Sequence, residues 1–318
     1  MGLGVIFGLL TTLSWSIGIF PFTQAARRLG VNSLNHFRLI LALLFIGVIS
    51  FLLDYHSFFR IFNSNYLSAW LWLGLSGIVG LTIGDYFAFE MYKILGARLG
   101  SVLSTFAPAA ALLLAWILID EHISSIGILG IFITIIGVNY ISLSKKERKT
   151  VADDHQSAIS KGIFLGILSA LCQGAGLVLA KKGMMLENKS GIVIHPFHAN
   201  FIRLSIATVS LFIFTIITRN LNAVIFPIII NKEGGIKYAI AGTVFGPVVG
   251  VSLSLYTISL IEPSVAQTIF SLVPVAALFI ARILTKEKIT THSLIGVSVA
   301  MAGVFILIWR DQIEKLFL

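Results

Sequence analysis

The sequence predicts an all-α, polytopic membrane protein of ten transmembrane helices arranged as two inverted five-helix repeats. Three observations lead there. Of 318 residues, 57% are apolar and only 12% are charged, and the mean hydropathy is +0.96. Runs of about 20 apolar residues recur almost end to end, each long enough to cross a hydrocarbon core of roughly 30 Å. No water satisfies the backbone there, so each run must be a helix. Finally, Pro108, Glu121, Gly130 and Gly137 recur as Pro274, Glu287, Gly296 and Gly303, each displaced by 166 positions. A fixed period is the mark of internal repetition.

In chain order, the N-terminal apolar run lacks a positive n-region and is too long for a signal peptide, so it reads as a retained first span. The first repeat, residues 1–143, has spans near 3–25, 33–53, 66–92, 97–119 and 124–143. A polar linker, 144–160, follows and contains SKKERKTVADDHQS. The second repeat, 161–309, has spans near 161–182, 197–218, 236–259, 262–284 and 289–309, and 310–318 forms a C-terminal tail. Inner positions match as well. Asn35 and Arg38 pair with Asn200 and Arg203 at offset 165, Gly80 and Gly84 with Gly246 and Gly250 at 166, and Gly4 and Gly8 with Gly162 and Gly166 at 158. Five spans per copy is odd, so the second copy enters the membrane in the opposite sense. Inverted repeats place a binding site near the midplane, and rocking of the halves gives alternating access.

The net charge of +9 is scattered over inter-span loops, where it sets topology and is not a nucleic-acid footprint. Its distribution places the linker in the cytoplasm and both termini outside, in a plasma or inner cell membrane. Cys172 is the single cysteine, which excludes an internal disulfide and a thiolate metal site.

Two such units resemble the EamA-type branch of the drug/metabolite transporter superfamily. The likeness rests on SVLSTFAPAAALLLAWILIDEH and SVAQTIFSLVPVAALFIARILTKEK, on the spaced Pro, Glu and Gly positions above, and on Ser14-Trp15-Ser16 in span 1. The resemblance implies a ten-helix carrier of small polar or amphipathic molecules, its cavity lined mainly by spans 1, 3, 4, 6, 8 and 9. Gly96-Ala97-Arg98-Leu99 departs from the small and hydroxyl residues usual before span 4, and Asp85 with Glu90 is a second departure.

Asp85 lies deep in span 3, where an ionisable group faces a cavity or a partner. It could bind a substrate ammonium, couple a proton, or pair with Arg38. Glu90 could be second in a relay or reach the interface. Arg38 and Arg203 could hold a substrate anion by a bidentate fork or snorkel to headgroups, with Asn35 and Asn200 bracing them. Trp15, Gln173, Tyr256 and Gln267 fit a cavity wall; the plainer alternatives are an interfacial belt for the aromatics and interhelical bonding for the glutamines. Pro108 and Pro274, near the middle of spans 4 and 9, would kink their helices and free a carbonyl for a substrate, a water or a neighbouring helix. Glu121 and Glu287 read as caps for spans 5 and 10. The small-residue ladders Gly80/Gly84 and Gly242/Gly246/Gly250 read as close helix packing. His195 and His198 lack a third ligand, so no metal site is expected.

A secondary transporter, proton-coupled or exchange-driven, is therefore the expected function. A channel or scaffold is the alternative, and a membrane-embedded enzyme is less favoured. Thr82-Ile83-Gly84-Asp85 lacks the first glycine of an intramembrane aspartyl protease signature, and no Walker lysine loop is present. No cofactor or catalytic residue is implied. The expected partners are a small-molecule substrate and membrane lipid, without nucleic acid. Ten spans can enclose a cavity unaided, so a monomer is expected, with a dimer as the alternative.

Overall fold

The computed structural model describes residues 2–142, 156–189, 194–285 and 291–317. Among them all regular structure is helical. The first half runs α1 (Gly2–Leu29), α2 (Val31–Leu53), a short α3 (Tyr55–Arg60), α4 (Leu67–Ser76), a π-helical segment Gly77–Gly84, α5 (Asp85–Leu103), a 3₁₀ turn Ser104–Phe106, α6 (Ala107–Ile119) and α7 (Ser125–Ser142). The second half repeats this order: α8 (Gln156–Lys189), α9 (Pro196–Ile217), a short α10 (Leu221–Ile230), α11 (Gly235–Thr243), a π-helical segment Val244–Gly250, α12 (Val251–Leu260), α13 (Pro263–Phe270), α14 (Val273–Thr285) and α15 (Thr291–Ile308). A final helix, α16 (Arg310–Phe317), stands where a tail was expected. Most of the linker (144–155), together with residue 143 and the turn with Glu287, lies outside the described residues.

Among the described residues, seven segments are long and apolar enough to cross a membrane. The shorter apolar helices Ser104–Ile119, Ser125–Tyr140 and Leu294–Ile308 fall in spans 4, 5 and 10 of the sequence reading. Large apolar side chains such as Leu13, Leu44, Leu52, Leu71, Phe132, Phe214 and Ile283 are exposed on the outside of the bundle. On a water-soluble protein so much exposed apolar surface would aggregate; on this one it is the lipid face.

The repeat glycines turn out to be crossing points. α7 and α15 form the most extensive helix pair. A methyl on Gly137 would lie 2.3 Å from Ala300 N, and one on Gly303 would lie 2.4 Å from Thr134 N. Backbone meets backbone there, which only glycine permits. Gly303→Val is therefore expected to cost about 1–3 kcal/mol by overpacking, seen as a lower unfolding temperature of the detergent-solubilised protein. A second pair of crossings joins the halves at the centre. Gly176 of α8 meets Gly80, a Cβ there standing 3.0 Å from the Gly80 Cα, and Gly18 of α1 faces Gly246.

Spans 3 and 8 differ from the plain helices the sequence suggested. Each carries about two turns of π-helix at its middle, and such segments loosen the main-chain ladder. Neighbouring side chains take up the carbonyls. Asn35 Nδ2 donates to Thr82 O at 3.2 Å, Ser169 Oγ to Gly84 O at 2.9 Å, and Asn200 Nδ2 to Pro247 O at 3.0 Å. Positions 82 and 247 are 165 apart, the same offset as Asn35 and Asn200, so one brace is made twice.

The prolines also act differently from expectation. Pro108 and Pro274 do not kink continuous helices. Each lies in the first turn of α6 or α14, after a break, where a missing N–H costs nothing. Span 9 is interrupted at Ser271–Leu272. α1 supplies donors to the interrupted backbone: Thr12 Oγ1 bonds Ile269 O at 3.0 Å and Ser16 Oγ bonds Val273 O at 3.1 Å. A neighbouring helix thus satisfies the carbonyls beside the break.

Candidate functional site

Between the halves lies a cavity of about 130 Å³. Its wall takes Trp15 from α1, Arg38 from α2, Asp85 and Phe89 from α5, Ser104 and Ala107 from the break in span 4, Gln173 from α8, Val251 from α12, and Gln267 and Phe270 from α13. The π segments shape it, because each re-aims the helix that follows. Asp85 is the first residue after Gly77–Gly84, and Val251 is the first after Val244–Gly250.

At its centre is a polar constellation. Arg38 Nη2 lies 2.8 Å from Asp85 Oδ2. Gln173 Nε2 donates to Asp85 Oδ1 at 2.6 Å and lies 3.4 Å from Gly80 O. Asn35 Oδ1 accepts from Arg38 Nε at 3.0 Å and Nη2 at 2.7 Å, so it braces the guanidinium from the same helix face. Leu81 O accepts from Nη2 as well, and the Phe89 ring sits 4.9 Å from the guanidinium carbon. Arg38 is only 1% exposed, against 19% for Asp85. It does not snorkel. Trp15 stands edge-on to Phe270 at 5.0 Å between ring centres and covers Gly250, so it is a wall residue and no interfacial anchor. Gln267 lies in the wall too and is buried.

Three candidates fall elsewhere. Tyr256 is not in the cavity wall. It sits at the far end of α12, where its hydroxyl lies 2.6 Å from His195 Nε2 and its ring stacks on Phe7. That bond occupies His195, while His198 Nε2 lies 3.2 Å from Ser50 O. Glu90 is half-buried but off the cavity wall. Five residues from Asp85 is about 1.4 turns, which carries it to another face. Arg203 is buried, 4% exposed, yet it does not line the cavity; its Nη2 lies against Gly80.

A second polar group was not anticipated. Glu121, expected to cap α7, is instead buried and accepts a hydrogen bond from Ser264 Oγ across the two halves. The cap is Ser124, whose Oγ accepts from Gly127 N at 3.3 Å. Nearby, Glu262 pairs with Arg310 at 2.9 Å, and Lys181 Nζ donates to Ile258 O. Lys181, near the end of span 6, points inward from α8. Its neighbour Lys182 lies 4.1 Å over the Trp72 ring. These groups border a cavity of about 410 Å³ at the end of the bundle where Gly4 packs on Leu260 and Ile261.

Burial pushes the Glu121 carboxyl above the usual carboxylate range, opposed by the Ser264 hydrogen bond. The folded state then holds the proton more tightly than the unfolded chain does. Its stabilising contribution is complete below the ordinary glutamate value of about 4.3 and is lost as pH rises through the raised value. The unfolding temperature of Glu121→Gln is therefore expected to fall less than that of the wild type as pH is raised from that range. Parallel curves for the two proteins would contradict this.

Among the described residues no three His, Cys, Asp or Glu side chains cluster as metal ligands would. Comparison with known proteins points to transport. A crystal structure superposes with a TM-score of 0.66 over 96% of each chain at 12% identity, which speaks to the fold alone. An uncharacterized transporter of Synechocystis sp. is 22% identical over 253 residues, covering 77% of this chain and 73% of that one. The model of the EamA-like transporter family matches residues 2–143 and again 160–309. A match over both halves makes the assignment plain: the chain belongs to the EamA-like transporter family.

Proposed function

We propose that the protein is a secondary carrier that moves a small metabolite or drug-like molecule by alternating access. Its working parts are two inverted five-helix units, residues 1–143 and 161–309, joined by a linker at 144–160. The observation that carries this reading is the cavity between the halves, with the Arg38–Asp85–Gln173 constellation on its wall. A buried ion pair stabilises little against an apolar substitute of the same volume, so its presence at a cavity favours a binding role. The halves rock about the glycine crossings Gly18–Gly246 and Gly176–Gly80. Glu121–Ser264 closes one end of the path and parts when that end opens. Asp85 is the group through which a proton gradient would act.

The test is counterflow in proteoliposomes. Vesicles loaded with an unlabelled substrate should accumulate its labelled form transiently, with saturable kinetics. Sustained single-channel conductance in a planar bilayer would instead indicate a pore. If Asp85 couples protons, Asp85→Asn abolishes the stimulation by an imposed pH gradient while exchange persists; stimulation at the wild-type rate would remove that role.

A further inference from the structure

The charge of the central cavity selects the class of molecule it takes. Arg38 lines the cavity and is 1% exposed. Its Nε and Nη2 are used on Asn35, Leu81 and Asp85. Nη1 has no hydrogen-bond partner among the described residues, which leaves two of the five guanidinium N–H donors unused. A second cation stands close by. Arg203 is 4% exposed, and its Nε has no hydrogen-bond partner among the described residues. A Cβ on Gly80 would lie 3.5 Å from Arg203 Nη2, and Gly80 is the residue whose carbonyl Gln173 approaches on its way to Asp85.

Against these two arginines there is one acid. Among the described residues, Asp85 is the only carboxylate on the cavity wall. The repeat supplies no other: at offset 166 Asp85 maps to Val251, which faces the cavity as an apolar side chain. Glu90 is off the wall. Among the described residues the centre therefore carries two positive charges and one negative, a net of one positive, in a place where an uncompensated charge is costly. The rest of the wall is largely apolar, and the rings of Trp15, Phe22, Phe89, Tyr92 and Phe270 contribute to it.

We propose that the cavity takes a small organic monoanion with an apolar body, its acid group on Arg38 Nη1 and its body against Trp15, Phe89 and Phe270. This deepens the carrier reading and rests on it. A monoanion neutralises the centre, whereas a zwitterion leaves the excess charge in place and a cation doubles it. The cavity, about 130 Å³, is close to the ~150 Å³ that accepts a benzene ring, so benzoate is the natural probe.

The experiment uses the full-length protein in detergent and compares benzoate with benzyl alcohol, benzylammonium and zwitterionic phenylglycine, with chloride as an inorganic control. Benzoate should raise the unfolding temperature and bind at least about tenfold more tightly than the neutral and cationic analogues. Asp85→Asn frees Arg38 of its carboxylate and should raise benzoate affinity about tenfold or more. Arg38→Gln should abolish binding; because that variant could fail to fold, the gain in Asp85→Asn is the deciding arm. Equal binding of a neutral or cationic ring overturns the proposal. So does a benzoate response absent from both wild type and Asp85→Asn, or one matched by chloride. Counterflow separates this from the carrier reading. Exchange of benzylammonium without benzoate would leave the carrier standing and remove the anion site, whereas benzoate binding without exchange would do the reverse.

Discussion

Arg38→Met is expected to destabilise the protein by about 3–5 kcal/mol, because it strands Asp85 in the bundle without its cation. The effect is large for a reason visible in the geometry. Asp85 is 19% exposed, so water reaches it poorly, and Arg38 is the charged group nearest its Oδ2 at 2.8 Å. Gln173 would still donate to Oδ1, but an amide does not neutralise a carboxylate. Asn35 would also lose the donors that now occupy its Oδ1. The double variant Arg38→Met/Asp85→Leu should recover most of the lost stability, since an ion pair replaced whole by apolar groups costs little. It should recover none of the transport. A double-mutant cycle of unfolding free energies checks the first point and counterflow the second. If stability and transport returned together, the pair would be structural only.

Gly176→Val should abolish transport while leaving a folded protein weakened by about 1–3 kcal/mol. A Cβ at 176 would stand 3.0 Å from Gly80 Cα, 3.2 Å from Gly80 N and 3.4 Å from Ser76 O, all backbone or as rigid as backbone. α8 must therefore move away from the π segment in span 3. Gln173 is carried on α8 and Asp85 on the end of that segment, so the same displacement pulls their 2.6 Å bond apart. The contact is also one of the two crossings about which the halves would pivot. Gly174→Val is a useful companion: its clash is with Ala107 O at 2.6 Å, on the broken span 4. Unfolding temperature and exchange rate, measured on the same preparations, separate packing from transport.

Much of this was legible in the sequence because it followed from burial and period. Apolar run length revealed the spans. The constant offset revealed the repeat, and the glycines that carry the offset proved to be the backbone crossings of α7 with α15 and of span 3 with α8. Asp85 stood out as a charge too deep to be solvated, with Arg38 as one possible partner, and Asn35 three residues before Arg38 suggested a brace, whereas snorkelling of Arg38 to the headgroups stayed open in the sequence. What was not legible depends on tertiary structure. A π segment has no hydrophobic period of its own; it persists because Asn35, Ser169 and Asn200 donate to its carbonyls from other helices. The breaks at Pro108 and Pro274 look the same in sequence as kinks, because a proline in a first turn and one in mid-helix differ only in what precedes them. Glu121 sat where a cap was expected, and nothing local showed that Ser264, 143 residues away, would meet it. Tyr256 and Glu90 were misplaced because the orientation of a helix face is lost across a π segment or after more than a turn.

A carrier that works by alternating access opens the cavity between its halves to each side of the membrane in turn. Gln267 is a buried wall residue, 7% exposed, and Cys172 is the only native thiol. Gln267→Cys in a Cys172→Ser background therefore places one reporter thiol at the site. Labelling with a membrane-impermeant thiol reagent, in right-side-out and in inverted vesicles, measures access from each side. Slow labelling is expected from both sides, with protection by a transported substrate. Labelling from one side only, unchanged by any substrate that the protein exchanges, would contradict alternating access.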